Sequence, residues 1–133
     1  MENLRVGLTA SVSTEVTEGN TAIAYGSGGV KVFATPAMIG LMEKAALSCV
    51  DPVLPAGMAT VGTKVEVSHL AATPVGMQVR AQAELLEIDG KRLVFRVEAY
   101  DEAGLIGEGK HERFIIDLER FISRAEAKKN QSK

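Results

Sequence analysis

Apolar and polar residues alternate in steps of two along most of this chain, and the alternation is broken once by a long, nearly continuous apolar stretch. Val12, Thr14 and Val16 alternate with Ser11, Ser13 and Glu15, a β-branched pattern that predicts a first strand over residues 6–17. Glu18, Gly19 and Asn20 follow as a turn, and residues 25–29 (Tyr-Gly-Ser-Gly-Gly) read as a mobile loop or lid. That loop lacks a Gly-Lys-Ser/Thr sequence, so it is not a phosphate-binding loop of the Walker type. Thr35 as N-cap and Pro36 at the first helical position open a helix that runs to Val50, where Asp51-Pro52 stops it. Between Met38 and Val50 only Glu43, Lys44 and Ser48 are strongly polar, which predicts a helix buried on most of its sides. Strands follow over residues 60–70, 77–88, 92–100 and 105–118. In the first of these, Val61, Thr63, Val65, Val67 and His69 share one face. Asp89-Gly90 marks a tight hairpin, and residues 101–104 mark a second. The tail from Glu119 onward reads as a short helix that frays.

One strand, one apolar helix and then four strands in an antiparallel meander predict an α+β fold in which a curled sheet wraps a single central helix. That is the hot-dog fold, here a single domain over residues 1–133 with a peripheral tail from about residue 122. One sheet cannot cover such a helix on all sides, and a sheet edge needs a partner; a two-fold homodimer, or a higher oligomer, answers both needs. The chain has 133 residues, 46% of them apolar, and a net charge of −2, which suits one globular domain. The Lys-rich tail, with Lys128, Lys129 and Lys133, is too small a basic feature to predict nucleic-acid binding. No secretory signal or membrane-length apolar run is evident, so a cytoplasmic protein without membrane contact is expected. The one cysteine, Cys49, reads as a small core residue. His111 stands alone without His or Cys at ligand spacing, so no metal is expected.

Three positions carry candidate chemistry. Glu43 is an acid within an apolar helix, where an ionised carboxylate needs a partner or a raised pKa, unless it points to solvent beside Lys44. His69 lies on the strand face expected to meet the helix; it is either a satisfied core histidine or half of an acid–base pair with Glu43. Thr35 is a plain N-cap, or a hydroxyl placed where helix amides stabilise a developing oxyanion. Beyond these three, Arg113 is a weaker candidate, either a phosphate partner or part of a solvated strand face.

The run Ala34-Thr35-Pro36-Ala37-Met38-Ile39-Gly40-Leu41-Met42-Glu43 resembles the helix motif of the fluoroacetyl-CoA thioesterase-like branch of the hot-dog superfamily. Val61-Gly62-Thr63 with His69-Leu70-Ala71-Ala72-Thr73-Pro74 resembles its next motif, and Gly107-Glu108-Gly109-Lys110-His111-Glu112-Arg113 its last. The resemblance runs from about Val6 to Phe121. It implies hydrolysis of a small acyl-CoA by Thr35, Glu43 and His69, with Gly62 lining the acyl pocket and Arg113 close to it. It also implies sites at a dimer interface, and no cofactor beyond the coenzyme A of the substrate. The fluoroacetyl-selective member carries phenylalanines in the lid before the threonine, whereas residues 26–29 here have none. Selectivity for the fluorinated acyl group is therefore not expected. A hot-dog enoyl-CoA hydratase and an acyl-CoA-binding or sensing module without turnover are the alternatives. The Asp/His motif common in such hydratases is not found, and a mere binder has no need of an acid–base set.

Overall fold

The computed structural model describes residues 2–131; Met1, Ser132 and the expected tail residue Lys133 lie outside the described residues. Strand β1 spans Thr9–Glu15, shorter than expected because Gly7 turns the chain at φ +100° before it. Helix α1 (Ala22–Tyr25) is a single turn, closed by Gly26 with φ +72°. Helix α2 is Thr35–Val50. Strands β2 (Met58–His69), β3 (Gln78–Asp89), β4 (Arg92–Tyr100) and β5 (Leu105–Asp117) follow, and helix α3 (Leu118–Gln131) ends the described chain. The tail is therefore a helix of 14 residues without a buried residue, longer than the short frayed turn expected.

The five strands form one antiparallel sheet in the order β1-β3-β4-β5-β2. Only β3, β4 and β5 make a meander; β2 crosses to the far edge and pairs with β5 instead of β3. The long connection after β2 makes that crossing possible, and Phe33 and Thr73 tie it down, Phe33 donating its N–H to the Thr73 carbonyl (2.8 Å). Thr73 is fully buried and donates its hydroxyl to Asp101 (2.7 Å). The β3–β4 loop consists of Gly90 and Lys91, one residue later than expected, with Gly90 at φ +62°. A two-residue hairpin needs positive φ at its first loop position, which glycine supplies at little cost.

Helix α2 lies on the concave face of this sheet. Met38, Met42, Ala45, Ala46, Cys49 and Val50 face inward and are buried. They meet Val79, Ala81, Ala83 and Leu85 of β3, and Leu93, Phe95, Val97 and Ala99 of β4. Alanines at five of these sites let a helix backbone approach the sheet closely, and the side chains around them fill the layer. The rest of the helix is less completely covered. Ile39, Glu43 and Leu47 are half-buried and Gly40 is exposed, so a second, largely apolar face that includes Glu43 is only partly covered by this chain. A curled antiparallel sheet around one long helix is the hot-dog arrangement that the element order predicts.

Candidate active site

Thr35 is the first residue of α2, but it does not cap the helix. Ala34 takes the N-cap position and no side chain caps the free amides. The Thr35 hydroxyl instead lies 2.7 Å from Nδ1 of His69, the last residue of β2. Period-two patterning put His69 on the helix-facing side of its strand, and the structure agrees. Burial is the larger influence on His69 and pushes its pKa below the ordinary histidine range, with the Ala71 backbone opposing. The ring is thus held neutral, as a proton acceptor requires. Its Nε2 is buried and makes no hydrogen bond within the chain. Thr35 and His69 line a cleft of about 310 Å³ together with Ala22, Ser27, Phe33 and Ala71. A groove of about 380 Å³ around Tyr100 and Gly104 is larger, yet it holds none of the residues that carry the motif chemistry, so chemistry rather than size selects the site.

Glu43 is not at that cleft. It sits eight residues along α2 from Thr35, roughly 12 Å at 1.5 Å per residue. The expected contact between Glu43 and His69 does not form within one chain. Glu43 faces Gly62 of β2 and the inner face of β5. A Cβ built on Gly62 would lie 2.9 Å from Glu43 Oε2, 3.1 Å from His111 Cε1 and 3.5 Å from Arg113 Nη1. Glycine is what lets these three groups close around one point.

The local fold explains why Gly62 faces inward. A β-bulge between Gly62 and Lys64 leaves Thr63 as an extra residue, so Gly62 pairs with Arg113 while Lys64 pairs with Glu112. Val65, Val67 and His69 keep the expected side, but Val61 and Thr63 do not share it; Thr60 and Gly62 replace them on the inner face. An isolated glycine within a strand was the available sign of such a bulge.

Residues 110–113 read in sequence as a charged segment, yet His111 is only 1% exposed and Arg113 5%. Arg113 donates from Nε to Thr60 Oγ1 (2.8 Å) and from Nη2 to the Thr60 carbonyl (2.9 Å). Thr60 Oγ1 in turn donates to Asp51 Oδ1 (2.6 Å). Desolvation is the main influence on Arg113 and lowers its pKa, while the charges of Asp51 and Glu43 hold it up. Sequence reasoning saw Asp51 only as a helix stop and His111 only as a weak metal candidate. The missed signal was parity: counting back in twos from the core residue Ile115 puts Arg113 and His111 on the core face.

Comparison with known proteins fits this geometry. The model of the fluoroacetyl-CoA-specific thioesterase family matches residues 16–119. The fluoroacetyl-CoA thioesterase of Streptantibioticus cattleyicolor is 45% identical over 98 residues, 74% of this chain and 70% of that protein. A solved structure of a fluoroacetyl-CoA thioesterase is 38% identical, with a TM-score of 0.88 over 95% of this chain and 98% of its own. A thioesterase-superfamily protein from Thermus thermophilus is 33% identical, with a TM-score of 0.90 over 98% of this chain and 97% of its own. A bonded threonine–histidine pair at the N-terminus of the central helix, on this sheet and with these relatives, leads to one conclusion: the chain belongs to the fluoroacetyl-CoA-specific thioesterase family of hot-dog proteins.

Proposed function

We propose that this enzyme hydrolyses a small acyl-CoA thioester to the free acid and CoA. The observation that carries the reading is the 2.7 Å contact between Thr35 Oγ1 and His69 Nδ1 at the mouth of a cleft and the start of a long helix. Neutral His69 accepts the proton from Thr35, or from a water that Thr35 orients, as the oxygen attacks the thioester carbonyl. Charge moves to the carbonyl oxygen, where the positive end of α2 stabilises it. The C–S bond then breaks, and the proton held by His69 goes to the departing sulfur. Where Thr35 attacks, a water deprotonated by His69 then cleaves the acyl–threonine ester and the proton returns to the hydroxyl; where water attacks, the acid forms directly, and neither route needs a cofactor or metal.

Glu43 completes the site from across a two-fold homodimer axis in this reading. It is half-buried on α2, about 12 Å along the helix from its own Thr35. A two-fold interface over the partly covered face of α2 supplies each Thr35–His69 pair with the other chain's Glu43, Gly62 and Arg113. A cytoplasmic location suits a CoA thioester substrate. Among the described residues no helix is long and apolar enough to cross a membrane.

The test is a panel of short acyl-CoAs, including crotonyl-CoA and fluoroacetyl-CoA, with free thiol followed over time. Rapid thiol release supports hydrolysis. Hydration of crotonyl-CoA without thiol would indicate a hydratase, and binding without either product an acyl-CoA sensor. The cleft lining takes its aromatic surface from Phe33, and residues 26–29 contribute only Ser27. The kcat/KM ratio of fluoroacetyl-CoA to acetyl-CoA should therefore stay close to the ratio of their intrinsic reactivities, and a residual preference of many thousandfold would contradict this.

A further inference from the structure

We propose that His111 is a positioning residue for the hydrolysis: held in one neutral tautomer, it fixes the guanidinium of Arg113 toward Glu43. The inference rests on the assignment of Glu43 and Arg113 to the site. His111 Nδ1 lies 2.8 Å from the Lys64 carbonyl, and a carbonyl only accepts, so Nδ1 carries the proton. Its Nε2 lies 3.1 Å from Arg113 Nη1, and a guanidinium only donates, so Nε2 offers its lone pair. The two contacts require the same tautomer. An imidazolium would set two donors against each other. Burial and the nearby Arg113 charge both disfavour that form, burial being the larger.

Three nitrogens of Arg113 are thereby committed: Nε and Nη2 to Thr60, and Nη1 to His111. Nη1 keeps a second hydrogen, and this nitrogen lies 3.5 Å from a Cβ built on Gly62, with Glu43 Oε2 2.9 Å from the same point. Among the described residues Arg113 and Glu43 form no ion pair within 4.0 Å, so their mutual orientation depends on what holds the guanidinium from behind. His111 is the only one of these holders that grips Nη1.

Two variants separate positioning from packing. His111→Gln can place an amide oxygen near the old Nε2 and still accept from Arg113; His111→Met fills similar space without a strong acceptor. With acetyl-CoA, assayed well below both melting temperatures, His111→Met should lower kcat by about 10- to 100-fold, the scale seen for partners that orient metal ligands. KM should change little, and His111→Gln should recover most of kcat. Introduced into Arg113→Lys, His111→Met should add little further loss, because the two act as a unit. Nitrogen-15 NMR of the wild-type imidazole should show a protonated Nδ1 and a bare Nε2 at neutral pH. The opposite tautomer, unchanged kcat in His111→Met, or equal losses in the Gln and Met variants would each overturn the inference. Full activity in Arg113→Lys would overturn the underlying assignment of Arg113, and the inference with it. Loss in Arg113→Lys with none in His111→Met would overturn the inference alone.

Discussion

At the scale of single residues, the Thr35 hydroxyl shows how one side chain can be read two ways. Its place before a proline and an apolar run suggests a helix cap, and a cap is worth about 1 kcal/mol. The structure gives the cap position to Ala34 and the hydroxyl to His69. Thr35→Ala should therefore leave the melting temperature nearly unchanged while lowering kcat by roughly 10²–10⁴-fold, the range for a lost acid–base partner. A fall of several degrees with activity retained would restore the capping role. In the proposed mechanism His69 sets the pH dependence. Its folded pKa is lowered, so the neutral, proton-accepting form persists to pH values below those of an ordinary histidine. The acidic limb of kcat/KM should fall below about pH 6.5, the unperturbed histidine value. A midpoint above 7 would mean that another group controls the step. His69 was legible in the sequence because alternation fixes which face a strand residue takes. The burial of His111 and Arg113 was not, because their charged segment was read as a solvated strand face; the paired hydrogen bonds that make that burial tolerable are visible only once β2 and β5 are aligned.

At the scale of elements, the hidden link is the chain of side chains from Asp51 at the end of α2, through Thr60 of β2, to Arg113 of β5. It ties the central helix to the two strands that carry Gly62 and His111. Thr60 is 6% exposed, and its hydroxyl serves one donor and one acceptor at once. Thr60→Val keeps the shape but leaves both partners short of a bond, so it should cost about 1–3 kcal/mol. For a chain of this size that is a drop of several degrees in Tm by calorimetry. No measurable change would show that water satisfies these groups. Helix α2 and the β3–β4–β5 meander were legible from hydrophobic period and turn residues. The crossing of β2 to the sheet edge was not, because period-two patterning is silent about which strand is the neighbour. The bulge at Thr63 was also missed, which is why Val61 was expected on the wrong face.

At the scale of the whole molecule, the proposed reading gives the partly covered face of α2 and the absence of a Glu43–His69 contact one common explanation, a site shared between two copies of the chain. Residue spacing alone could not reveal this separation. Eight residues place Thr35 and Glu43 about two turns apart on one helix, and the motif reads the same whether they serve one site or two. Complementation tests the shared site directly. Thr35→Ala and Glu43→Gln dimers, each nearly inactive alone, are mixed in equal amounts, dissociated and reassociated, and thiol release from acetyl-CoA is measured. If Thr35 and His69 of one chain work with Glu43 of the other, each mixed dimer regains one intact site of its two. With half of the dimers mixed, activity should rise to about a quarter of the wild-type rate. If the mixture stays as inactive as its parents, the two residues serve one site within one chain, and the shared-site account is wrong.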